Sequence, residues 1–171
     1  MVTGTVDATG CDIGVYFNGE GRVDNADIYG ALWYGVMVHG DATNASVDIT
    51  DSSIHDIGDN PLNGNQRGIG IYYRAFFSAG TATGRISGNT IAQYQKGGIV
   101  ANGPSTDVQV QDNTVTGPRR VRISDVGNND KMTGNRVSGA GYDPEMNPGA
   151  YTVFIDADVS FTNRPKVHGN K

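Results

Sequence analysis

A single cysteine, Cys11, stands in 171 residues, so the chain holds no internal disulfide and is not one of the small folds stapled by them. No apolar run is long enough to cross a bilayer as a helix. Basic residues are scarce. The 13 Lys and Arg against 18 Asp and Glu give a formal net charge of −5 and a pI near 5.0, which excludes the basic footprint of a nucleic-acid binder. Helices of ordinary length are missing as well, because 25 glycines and frequent Asn/Asp turns break every apolar run before three helical turns are complete. The start, from Met1, carries no charged-then-apolar leader, so no secretory signal is expected in it. The 37% hydrophobic content is that of a folded chain, and one domain with an elongated core is expected over residues 1–171.

What is present is a repeat. The hexapeptide ISGNTI at 86–91 returns as VQDNTV at 110–115, MTGNRV at 132–137 and a truncated VHGNK at 167–171, with looser copies VDNADI at 23–28 and ITDSSI at 49–54. Its turn position runs Ala26, Ser52, Asn89, Asn113, Asn135 and Asn170, with intervals of 26, 37, 24, 22 and 35. A period of about 22 to 26 residues with two long insertions is that of a solenoid whose coils differ in their loops. The last copy stops just after its turn, so a set of coils from a longer array is expected, with ends open to stacking on a second copy.

A second pattern follows each turn. A small residue introduces two apolar residues separated by one in GVYFN (14–18), GVMVH (35–39), GIGIY (68–72) and GIVAN (98–102), and RVRIS (120–124) and TVFID (152–156) keep the alternation without the glycine. Alternation at period two predicts short strands with Val15/Phe17, Val36/Val38, Ile69/Ile71, Ile99/Ala101, Val121/Ile123 and Val153/Ile155 facing inward. Gly14, Gly35, Gly68 and Gly98 are expected to hold a corner conformation that a Cβ disfavours.

With these repeats the chain resembles the right-handed parallel β-helix proteins of the pectate-lyase-like superfamily over nearly its whole length. The stretch from Asp56 through Gly103 is similar to a group of mostly uncharacterised secreted members. The resemblance implies an all-β solenoid of about six coils with three strands per coil. It also implies an internal ladder of hydrogen-bonded asparagines and an extracellular setting. One departure follows Val115, where relatives carry a longer insertion and this chain proceeds directly to Arg119 and Arg120.

Function is then expected from outward residues of the strand after the glycine. The first outward column reads Tyr16, Met37, Gly70, Val100, Arg122 and Phe154; the second reads Asn18, His39, Tyr72, Asn102, Ser124 and Asp156. At about 4.8 Å between coils, such columns could follow an extended polysaccharide. Aromatic faces at Tyr16, Tyr72 and Phe154 would stack on sugars, and Asn18, Asn102, Arg122 and Asp156 would bond to hydroxyls. Two long loops, 55–67 and 139–149, are expected to overhang one groove and bring in Asp56, Asp59, Asp143 and Glu145. His39, Tyr72 and Arg67, with Asp59, form the best acid–base constellation, suited to a lyase, epimerase or glycoside hydrolase. The histidines lack metal-site spacing, while the resemblance to lyases leaves Ca²⁺ open as a cofactor held by the acidic loops. The alternative reading is a non-catalytic spacer, adhesin or engineered solenoid segment that associates end to end.

Overall fold

The structure, a computed structural model, describes residues 1–117 except Leu62, Gly64 and Ser78, together with 123–125, 131–138 and 160–161. Among these residues there is no helix, every regular element is a strand, and all strand pairs are parallel. One sheet has five strands, in the order Ile123–Asp125, Gly97–Asn102, Ile69–Arg74, Tyr34–His39, Ile13–Phe17. The other has eleven and turns a corner, because the long strand Glu20–Tyr29 pairs with Ala45–Thr50 through its first half and with Ser53–His55 through its second.

The corner explains the hexapeptide. Its third residue is Asn25, Asp51, Gly88, Asp112 or Gly134, each at a positive φ between 49° and 68°, a conformation that Gly, Asn and Asp reach most readily. The fourth residue turns inward and bonds to the next copy. The Ala26 N–H donates to Ser52 Oγ, and the N–H groups of Ser52, Asn89 and Asn113 donate to Oδ1 of Asn89, Asn113 and Asn135, all at 3.0 Å. The amides of Asn89, Asn113 and Asn135 donate in turn to the carbonyls of Ile49, Ile86 and Val110. These side chains are almost wholly buried, so the chain of bonds satisfies groups that would otherwise be costly to desolvate. Asn170 lies outside the described residues.

Ile28, Ile54 and Ile91 enter the core from one sheet, and Val36, Ile71 and Ile99 meet them from the other. The pairing in the five-stranded sheet corrects the expected register. Val36 is opposite Ile71 rather than Ile69, and Ile99 is opposite Ile71 and Ile123. The glycine column is therefore Gly14, Gly35, Gly70, Gly98. A Cβ on Gly14, Gly35 or Gly70 would lie 2.6, 2.6 or 2.7 Å from the carbonyl oxygen of the next glycine and 2.6 to 3.0 Å from Ile28, Ile54 or Ile91 Cγ2. Close approach inside the core, not a left-handed corner, requires these glycines. Gly68 alone of the expected set has positive φ, at 85°, and it belongs to the preceding loop.

The two-residue offset also changes which residues stand at the two ends of this strand. Ile69 falls at its start, opposite Tyr34, and packs in a small apolar cluster with Tyr34, Met37 and Tyr72 rather than in the main core. Tyr73 takes an interior position, fully buried, and its hydroxyl donates to the Val47 carbonyl at 2.6 Å.

Candidate functional site

With the register corrected, the first outward column is Tyr16, Met37, Tyr72 and Val100, and the second continues His39, Arg74, Asn102. Arg74 occupies the place expected of Tyr72, and Tyr72 the place expected of Gly70. Arg122, Asp143, Phe154 and Asp156 lie outside the described residues, as do Arg119, Arg120 and Glu145.

These positions carry a connected polar network. The Tyr16 hydroxyl and His39 Nδ1 are 2.9 Å apart, and His39 Nε2 is 3.0 Å from Asp41 Oδ2. An ionised Asp41 accepts the Nε2 proton, which leaves Nδ1 of the neutral ring to accept from the Tyr16 O–H. Arg74 Nε also donates to Asp41 Oδ2, while the backbone N–H groups of Phe76 and Phe77 reach Oδ1 at 2.6 and 3.4 Å. Burial by itself would raise the Asp41 pKa. The bonds from Arg74, Phe76 and His39 outweigh it and hold the carboxyl at about 2.

Beyond Arg74 the network continues through Tyr72. Its hydroxyl interacts with the guanidinium and accepts from Asn102 Nδ2 at 3.0 Å. The Tyr72 ring stacks on Tyr34 with centroids 5.0 Å apart. Tyr16 is 47% exposed and Asn18 is also exposed, while His39, Arg74 and Asn102 are half-buried. Met37 and Tyr72 are buried and form the floor between them.

Arg67 and Asp59 do not join this network. Arg67 Nε and Nη2 both bond to the Asp59 carboxylate, Asn65 Nδ2 and Gln95 Nε2 reach the same group at 3.0 Å, and the guanidinium lies 5.9 Å from the Trp33 ring centroid. Hydrogen bonds from Arg67 and Gln95 lower the Asp59 pKa well below the usual carboxylate range. The pair holds loop 56–68 in shape. Asp56, Asp59 and Asn60 line a separate cleft of about 320 Å³ with Thr9, Tyr29 and Gln93. His55 is tied up nearby, with Nδ1 2.6 Å from Asp56 and Nε2 3.1 Å from Asp27.

Among the described residues no three His, Cys, Asp or Glu side chains gather as a metal cage. Asp59 is committed to Arg67, and Asp56 to His55. These donors do not fit Ca²⁺, and no calcium-dependent step follows from them. Asp41 and Arg74 are the participants that sequence reasoning missed. The available signal was the sequence Gly40-Asp41 directly after the His39 strand, a turn acid two residues from a histidine.

Comparison with protein-family models, with curated proteins and with solved structures gives no match.

Proposed function

We propose that the chain is a right-handed parallel β-helix of about six coils and that the outward face of its five-stranded sheet binds an extended polysaccharide. The fold reading is supported by the parallel register of copies 22 to 37 residues apart through the Ala26 to Asn135 chain of bonds. The binding reading rests on one observation: Tyr16, His39, Arg74 and Asn102 project from four successive strands and are joined through Asp41 and Tyr72 into a single fixed network. Rows about 4.8 Å apart present an aromatic ring, an imidazole, a guanidinium and an amide. Rings of this kind stack on sugars, and groups of this kind bond to hydroxyls. Because the partners are mutually bonded before any ligand arrives, little side-chain entropy is lost on binding.

Titration against a panel of soluble polysaccharides tests the reading. The expected result is saturable binding that weakens at least about tenfold in Tyr16→Ala and Asn102→Ala. No binding across the panel, or equal binding by both variants, would falsify it. The Tyr16–His39–Asp41 relay favours an extension to proton transfer, since a base oriented by a buried carboxylate has an exposed hydroxyl within reach. In the same titrations, a modifying activity would release unsaturated or reducing ends and be lost in His39→Gln.

A further inference from the structure

From the charge pairing in this network we infer that this face takes neutral sugar rings rather than uronates, and that Asp41 is the residue that sets this preference. The inference rests on the polysaccharide reading and names its substrate class. Recognition of a uronate requires a cation free to meet the carboxylate. Among the described residues at the Asp41 end of this face, none is free. Lys96, which is in no described ion pair, directly precedes the strand Gly97–Asn102 at its other end, about 20 Å away. Arg74 donates to Asp41 and interacts with Tyr72, and His39 donates to the same Asp41 oxygen. At the edge of the face, Arg67 is held by the Asp59 carboxylate.

Asp41 is more than a counter-ion at the rim. It is 9% exposed, and its second oxygen is fixed by the backbone N–H groups of Phe76 and Phe77. An arriving carboxylate therefore cannot displace it from Arg74 without stranding those donors. The incoming charge would instead sit beside a fixed negative group, and like charges placed together at an interface strongly disfavour binding. Hydroxyls meet no such penalty. Tyr16, Asn18 and Asn102 offer neutral donors and acceptors, and the floor of Met37, Tyr72 and Val100 suits the apolar faces of pyranose rings. The overall charge of −5 acts in the same direction.

The experiment is an equilibrium titration of the whole chain with length-matched hexasaccharides, glucan, mannan and galactan against oligogalacturonate and oligomannuronate. Each is run at low and high NaCl. Neutral oligomers are expected to bind at least about tenfold more tightly than uronates, with affinity changing by less than about twofold with salt. Uronate preference, or affinity that falls steeply with salt, overturns the inference and leaves the polysaccharide reading standing. Binding to neither class overturns both. Asp41→Asn releases Arg74, and a folded variant is expected to gain at least about tenfold in uronate affinity. A folded variant that still rejects uronates removes Asp41 from the role. Both wild-type comparisons decide the substrate class even if that variant does not fold.

Discussion

Asp41 concentrates more of the molecule's electrostatics than any other described carboxylate on the five-stranded face. Its pKa of about 2 in the folded chain lies below the ordinary value near 3.9, so the folded state binds its proton more weakly than the unfolded state does. The stabilisation this provides is complete above about pH 4 and is lost as pH falls through the folded value. A shift of this size corresponds to on the order of 2 kcal/mol. Urea unfolding of wild type and Asp41→Asn at pH 5 and pH 2 should show a difference that shrinks by about that amount at the lower pH. An unchanged difference would mean that the carboxylate is not preferentially ionised in the fold. The residue was not legible from sequence, because its partners Arg74 and Phe76 are 33 and 35 positions away. An aspartate beside glycine also reads equally well as an ordinary turn.

At the scale of the strand, glycine decides how close the two sheets come. Gly35 faces the Gly70 carbonyl and Ile54 Cγ2, where an added Cβ would stand 2.6 Å from each. The first neighbour is backbone held in a parallel ladder and the second is a core side chain, so neither yields cheaply. Gly35→Ala is expected to cost about 1 to 3 kcal/mol. The control is Gly19→Ala, which meets nothing within 4 Å and should stay within about 0.5 kcal/mol. Thermal melts of the two variants separate them by several degrees if the packing account holds, and coincident melts would refute it. The spacing of glycine before two alternating apolar residues was readable in the sequence. Its alignment in the third copy was not, because GIGIY offers two glycines two residues apart. A shift of two keeps every residue on the same face of the alternation, so the hydrophobic pattern carries no penalty for the wrong choice. The slip placed Gly68 in the column that belongs to Gly70 and Tyr72 in the place of Arg74.

Across the molecule, the buried Asn chain links successive copies from Ala26 to Asn135, and it is here that one substitution should be felt most widely. In Asn113→Ala the Asn89 N–H and the Ile86 carbonyl lose the bonds that Asn113 makes to them. Two buried groups left in this way cost about 2 to 4 kcal/mol, against about half that for Ser52→Ala, which strands the buried Ala26 N–H and takes one bond from the part-buried Thr50 carbonyl. Equilibrium denaturation of the two variants measures the ratio, and equal stabilities would show that the chain of bonds is not what unites the turns. The sequence by itself determined the repeat, its turn chemistry, the parallel all-β character and the inward Asn column. Each of these follows from a local demand: positive φ before the turn, a short amide that can bond its neighbour, and alternation along a strand. Only the tertiary structure decided which strand residues stand side by side and which carboxylate each arginine meets. Those outcomes depend on loops of unequal length and on partners more than thirty residues apart, where a pattern of period two is silent. Arg67 therefore went to Asp59 and the loop, and Arg74 to Asp41 and the five-stranded face.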